Sequence, residues 1–172
     1  MKRILAILLA SMLSFGVGAA TLESDLNSNG VISYLHNHLT AKQLSTMLRS
    51  YEDSTAVNTL LYSECGKTLF LNASTEFATT LPAPIAGCQF TFIVQAAPAG
   101  TAYTIVTPAA ATIIDGTTVV NGGVIGCVNE HTITFTASAA ISGDWVRLVS
   151  DGTNWYVTGQ AFAATGIACT AA

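Results

Sequence analysis

The chain has 172 residues and a mass of 17.8 kDa, with 51% apolar and 9% charged side chains. Six basic residues stand against 10 acidic ones, so the formal net charge is −4. These values exclude an intrinsically disordered chain, a collagen-like chain and a strongly basic nucleic-acid-binding domain. The length suits one domain with a short additional segment.

The first 20 residues carry the pattern of a secretory signal peptide. Lys2 and Arg3 form a basic start, an apolar run follows, and small residues surround the expected cleavage point after Ala19 or Ala20. The apolar stretch over 4–20 is at the short end for spanning a bilayer, so a membrane anchor is the alternative. We expect a protein that is secreted, periplasmic or on the cell surface, or else part of a virion.

Cleavage would leave a strongly acidic mature chain. It would keep 4 basic side chains against 10 acidic ones, a net charge of −6, and Arg147 would be the only basic side chain after Lys67. Because so few cations cannot neutralise phosphate groups, neither nucleic acid nor an anionic membrane surface is expected as a partner.

Four cysteines, Cys65, Cys88, Cys127 and Cys169, are candidates for two disulfides. Three pairings are possible, and the sequence does not choose between them. A zinc site is not expected, because no Cys-x-x-Cys element is present. Free buried thiols are the alternative.

Residues 21–55 predict a helical N-terminal segment. Thr40 and Gln43 fit a capping box, and an amphipathic stripe then predicts a helix from about Ala41 to Tyr51. The stripe consists of Leu44, Met47, Leu48 and Tyr51. Such a short helix needs a packing partner, either its own domain or copies of itself.

Two weak metal patterns precede the predicted helix. Asp25, Asn27 and Asn29 match the first half of an EF-hand loop, but His36 stands where the bidentate Glu belongs. His36 and His38 would share one face only on a strand. We therefore predict no metal site and no cofactor, and we expect an Asn-Gly turn at Asn29.

From residue 56 to residue 172 the composition predicts an all-β domain. The 60 residues over 101–160 include 25 β-branched ones, which favour strands. About eight short antiparallel strands, separated by Gly and Pro turns, predict a sandwich or a barrel. The candidate strands are Thr68–Asn72, Gln89–Gln95, Ala102–Thr107, Thr112–Ile114, Thr117–Val120, Thr132–Thr136, Asp144–Ser150 and Asn154–Gly159.

The clearest local prediction is a hairpin around Asp151-Gly152. Alternation places Val146 and Leu148 on the core face of its first strand, with the Trp rings at the sheet margin. A glycan-binding surface is the alternative role for the aromatic side chains, because aromatic rings stack on sugar faces. Its candidate contacts are Trp145, Trp155 and Tyr156.

Catalytic motifs give no support for an enzyme. The sequence contains no Gly-x-Ser-x-Gly and no Ser-x-x-Lys element, and no Cys–His pair stands in a catalytic context. Carboxylates could converge in space, as in glycosidases, but two of them, Asp115 and Asp151, precede Gly in predicted turns. We therefore expect a protein that is not an enzyme. The remaining carboxylates of this kind are Glu130 and Asp144.

Several segments in a shared order resemble a known class of protein. They are Gly66–Asn72, Phe77–Pro84, Gly87–Val94, Tyr103–Thr107 and Gly143–Val157. Over about residues 60–160 this pattern resembles β-rich structural modules of tailed and marine phage virions, of the capsid-decoration and fibre-associated kinds. The resemblance implies a compact β domain that binds other protein surfaces, often as a trimer, without catalysis.

The chain departs from that class by its export signal and its four cysteines, which suit an oxidising compartment. The overall prediction is a structural and interaction protein on an exported chain. It would pack with copies of itself or with partner subunits, and the rival prediction is a secreted glycan-binding module.

Overall fold

Twelve β-strands contain about half of the described residues of the structure, a computed structural model that describes residues 51–73, 75 and 77–171. Two short 3₁₀ turns, Tyr62–Glu64 and Pro108–Ala110, complete the regular elements of this part of the chain. The strands, numbered β1 to β12, are Tyr51–Ser54, Asn58–Thr59, Thr68–Leu71, Ala78–Thr80, Gln89–Val94, Tyr103–Val106, Ile114–Val120, Gly123–Glu130, Thr132–Phe135, Trp145–Ser150, Trp155–Ala161 and Ile167–Thr170.

The strands form two sheets, which confirms the all-β prediction and gives a β-sandwich-like architecture. Sheet A has seven strands in the order β1-β3-β5-β10-β11-β7-β8, and sheet B has five in the order β12-β9-β6-β4-β2. The described residues belong to one compact unit, Leu48–Ala172.

Strand direction differs from the antiparallel prediction, because five of the ten strand pairings are parallel. From β1 to β6 the chain alternates between sheet A and sheet B. Each return to a sheet therefore repeats the previous direction, and β1-β3-β5 and β2-β4-β6 run parallel. The later strands form the antiparallel hairpins β7–β8 and β10–β11.

The core lies between the sheets and receives side chains from both. In β5 every second residue is buried, which places Phe90 and Phe92 inside, and Ile105 and Ile133 enter from sheet B. Each large apolar side chain that is fully buried contributes about 1.5–3 kcal/mol.

The hairpin predicted at Asp151-Gly152 is confirmed, with β10 and β11 joined by four residues after the pair Ser150–Trp155. Val146 and Leu148 are fully buried, as predicted. Trp155 is not at the margin: it is 0% exposed, and its ring centroid lies 5.9 Å from that of Phe90. The cross-strand register explains this, because the buried partner Ser150 puts Trp155 on the core face.

Strand β7 corrects another local prediction. Asp115-Gly116 is not a turn between two strands but part of one seven-residue strand, with a register irregularity beside it. Gly116 has φ of 134°, which accommodates that irregularity. Asn121 and Gly122 form the turn that follows β7, and both residues have the positive φ that a tight hairpin requires.

All four cysteines are paired, as Cys65–Cys88 and Cys127–Cys169. The second bond joins β8, at one edge of sheet A, to β12, at one edge of sheet B. Two disulfides indicate an oxidising environment.

The predicted helix over Ala41–Tyr51 ends in a residue that belongs to a strand, since Tyr51 begins β1. The rest of that helix, the signal peptide, the calcium pattern at Asp25, Asn27 and Asn29, and the histidine pair lie outside the described residues. Among the described helices, none has the length and apolar character needed to cross a membrane.

Candidate interaction surface

The outer face of sheet A, which points away from the core, carries a row of apolar side chains. Cross-strand register places its members side by side on six adjacent strands, with Gln160 as the only polar member. Partial or full exposure of each member leaves an apolar band open to solvent. The row consists of Phe70, Ile93, Trp145, Gln160, Val119 and Val124.

A second row, next to the first, is made of threonines and one cation. Arg147 stands at its centre and donates a hydrogen bond to the side-chain oxygen of Gln89. Thr91 and Thr158 flank Arg147 on the neighbouring strands, with Thr68 and Thr117 beyond them. Short threonine side chains beside the apolar row give a surface of low charge that another protein can approach closely.

A groove of about 390 Å³ opens at the β1 side of this outer face. Tyr51, Phe70 and Ile93 form apolar walls, and the chain before β10 contributes Ser142 and Gly143. The rings of Tyr51 and Phe70 meet edge to face, with their centroids 6.1 Å apart. Asp53, the cross-strand partner of Phe70 on β1, also lines the groove, so the apolar row ends at a carboxylate at the edge of the sheet.

A polar cluster lies at the far end of the same sheet, around the β10–β11 turn. The Asp151 carboxylate accepts the backbone N–H groups of Thr153 and Asn154 and the hydroxyl of Tyr156. The Asn154 side-chain amide donates to Asp115 at 3.1 Å, which joins the turn to β7. The cluster therefore brings together two of the carboxylates that the sequence left separate.

Hydrogen bonding shifts the acid–base behaviour of this cluster. The backbone N–H groups of Asn154 and Thr153, followed by the Tyr156 hydroxyl, hold the pKa of Asp151 below its ordinary value of 3.8. The Asp151 carboxylate in turn raises the pKa of Tyr156 above 10.0, because it accepts a hydrogen bond from the protonated phenol. At neutral pH the cluster thus presents an anionic carboxylate beside a half-exposed phenol.

The three aromatic residues predicted as glycan contacts do not form one platform. Trp155 is fully buried and offers no ring face to a ligand. Trp145 lies in the apolar row opposite Gln160, whereas Tyr156 lies four residues before Gln160 in β11, about 13 Å away at the usual strand rise. Tyr156 therefore stands with the polar cluster, and Trp145 stands with the apolar row.

Of the remaining carboxylates, Asp144, Glu52 and Glu64 have local partners, whereas Glu130 has a buried side-chain oxygen, Oε2, without a hydrogen-bond partner among the described residues. Asp144 is buried, and it accepts the backbone N–H groups of Ile141 and Phe162, which fixes the chain on both sides of β10 and β11. Lys67 forms ion pairs of 2.6 Å with Glu52 and Glu64. Burial raises the pKa of Glu64, but hydrogen bonds from Lys67 and the Leu61 N–H, with the Lys67 charge, outweigh it and lower the pKa.

Strand β8 forms the far edge of sheet A and is the longest strand, with eight residues. Val124 and Val128 on this strand are 69% and 67% exposed. The alternation of Val124, Gly126 and Val128 is visible in the sequence, but two glycines and the preceding turn hid the strand from prediction. Its position at an edge depends on the sheet topology, which no local pattern reveals.

Comparison with known proteins gives no relative: no family model, no curated protein and no solved structure matches the chain.

Proposed function

We propose that this protein is a non-enzymatic structural and interaction protein that packs with copies of itself or with partner subunits on an exported, disulfide-bonded β domain. In this respect it would resemble the decoration and fibre-associated modules of phage virions. The two disulfides support assembly outside a reducing cytosol, either in the periplasm, at the cell surface or on a virion.

The observation that carries the proposal is the apolar row on the outer face of sheet A. Phe70, Ile93 and Trp145 stand together on adjacent strands of this face, each of them partly exposed. Exposed apolar bands of this kind mark surfaces that another protein covers. Burial of such a band favours association, because removing apolar area from water is favourable.

The low charge of the same surface supports packing over catalysis. Arg147 is the only charged residue in the two rows, and its guanidinium already has Gln89 as a partner. A surface with few charges loses little hydration when another protein covers it, so desolvation opposes association weakly.

The test is the assembly state of the full chain, measured by light scattering coupled to gel filtration. The proposal predicts a regular oligomer, or a monomer that captures a defined partner subunit. Association through apolar area should survive high chloride and strengthen in sulfate, whereas association through charge would weaken with salt. A stable monomer that binds no partner would refute the proposal.

A glycan-binding module is the second candidate, and the polar cluster is the observation that favours it. Tyr156 is 46% exposed, and its hydroxyl donates a hydrogen bond to Asp151. Next to this pair, the Asn154 side-chain amide donates to Asp115. Proteins bind sugars with an aromatic ring face together with carboxylate and amide groups, which form hydrogen bonds with the hydroxyl groups of the sugar.

Glycan-array binding distinguishes the two candidates. Binding by a soluble monomer that is lost in Tyr156→Ala, and retained in the matched control Phe162→Ala, would favour the glycan module. Phe162 suits the control because it is exposed but does not belong to the polar cluster. No binding to any glycan at high protein concentration would exclude this candidate.

A further inference from the structure

We propose that β8 pairs with β8 of a second copy of this chain, antiparallel and centred on Gly126, so that two copies share one continuous sheet. The inference rests on the proposed function and names both the partner and the surface. An edge strand carries a row of unpaired N–H and C=O groups, and pairing with another strand is the direct way to satisfy them.

The four sheet edges of the described domain are not equally open. In sheet A, the β1 edge is four residues long and carries Glu52 and Asp53. In sheet B, the β2 edge has two residues and the β12 edge has four. Natural proteins protect edges by shortness, by charge and by bulges. Strand β8 is eight residues long and has no charge before Glu130, but a register irregularity with Asn129 at φ of 54° follows Cys127, so its open part is Gly123–Cys127.

The outward side of β8 has no backbone partner among the described residues. Its ladder with β7 uses one side of the strand. Apart from the ladder with β7, no backbone–backbone hydrogen bond among the described residues involves Gly123–Glu130. The next such bond along the chain is from the His131 N–H to the Thr170 carbonyl. The Asn129 N–H donates to the Asp115 side chain on β7, so the outward N–H and C=O groups without a backbone partner lie over Gly123–Val128.

The strand is self-complementary about Gly126. Its cross-strand partners place Val124 and Gly126 on the outer face, and Val128, which is 67% exposed, stands at the start of the register irregularity that includes Asn129. A two-fold axis at Gly126 sets Val124 of each copy beside Val128 of the other. The only charge, Glu130, then lies opposite residue 122, and the two Glu130 side chains are about 27 Å apart at the usual strand rise.

Packing within its own chain does not explain Gly126. A Cβ at Gly116 or Gly159 would stand 2.2 or 2.5 Å from a backbone oxygen, so both glycines are needed inside the domain. A Cβ at Gly126 would meet nothing closer than 3.9 Å, and its φ is not in the left-handed region. A strand glycine of this kind often marks a bulge or the close approach of another backbone, and here a register irregularity follows at Cys127.

Pairing would also lengthen the apolar band. Val119 lies beside Val124 on the outer face, and the axis adds Val128 of the second copy next to Val124. The two seven-stranded sheets would become one of fourteen strands. An interface of two single strands is smaller than the ~800 Å² per partner of a standard complex, so the pair should exchange with the monomer.

The test compares the dimer dissociation constants of three full-length proteins by sedimentation equilibrium: the wild type, Val128→Lys and Val57→Lys. Val57 is the matched control, because it is a valine with 76% exposure outside β8. Val128→Lys should weaken dimerisation at least tenfold, since lysine on an edge blocks strand pairing. Val57→Lys should leave the dissociation constant within about twofold of the wild type, as expected for a surface change.

Hydrogen exchange of the wild type provides a second measurement that does not depend on a variant. Amides over Gly123–Glu130 should gain protection as concentration rises, while amides of β1 should not. If Val128→Lys changes nothing, or if protection appears elsewhere, β8 pairing is wrong but the interaction function stands. A wild type that is monomeric at all concentrations, yet captures a partner, refutes β8 pairing alone. A monomer without any partner refutes both.

Discussion

Loss of the Cys127–Cys169 disulfide should cost a large part of the stability of this domain. The bond closes a loop with a sequence separation of 42 residues. In the chain-entropy model, a loop of that length stabilises the folded state by about 4 kcal/mol, because the bond restricts the unfolded chain. Domains of this size have about 5–15 kcal/mol in total.

The structure gives the bond a second role, because it joins the outermost strands of the two sheets. Cys127 is fully buried. Strand β12, which carries Cys169, is also held by its ladder with β9. The double substitution Cys127→Ala with Cys169→Ala removes the bond without burying a polar group. We expect the free energy of unfolding to fall by about 4 kcal/mol, with early hydrogen exchange in β12.

Guanidinium unfolding of oxidised wild type and of the double variant measures the difference by linear extrapolation. The matched control is the double alanine variant at Cys65 and Cys88, whose 23-residue separation predicts a loss about half a kcal/mol smaller. Reductant should lower the stability of the wild type further than that of either variant. A loss below about 1 kcal/mol at Cys127 and Cys169 would refute the reasoning, because the loop would then not restrict the unfolded chain.

Two further predictions test packing and charge. Gly159→Ala should destabilise the domain by several kcal/mol in thermal or chemical melts, because its Cβ would stand 2.5 Å from a backbone oxygen, while Gly100→Ala, with open space around it, should be nearly neutral. An equal effect at both positions would contradict the packing. Asp151→Asn should lower the melting temperature near pH 7 but not in strong acid. The pKa of Asp151 is lowered in the folded state, so its stabilisation is present above the ordinary value of 3.8 and is lost as pH falls through the folded value. A difference from wild type that persists unchanged in strong acid would argue against that pKa.

Local patterns predicted the strands whose alternation is strong. β5, β10 and the hairpin at Asp151-Gly152 were expected, since their side chains alternate between core and solvent. The burial of Trp155 was not expected. Which side chains of a strand face the core after a four-residue loop depends on the register of that strand with its neighbour. Threonine and valine content could indicate strands but not which sheet each strand joins.

The candidate surface was harder to predict than the fold, because it depends on the order of strands in sheet A. Phe70 and Trp145 are 75 residues apart in sequence and come into one row only through β5, which lies between their strands. Strand β8 was missed since its glycines lower strand propensity. The open edge that it forms follows from topology alone.

The oligomeric state of the full chain in its oxidised form tests the central claim most directly. Sedimentation velocity from low to high micromolar protein should show a reversible, concentration-dependent shift from monomer to a discrete larger species, or a discrete complex once a partner subunit is added. A single monomeric species across that range, with no complex formed by any partner subunit, would contradict the account.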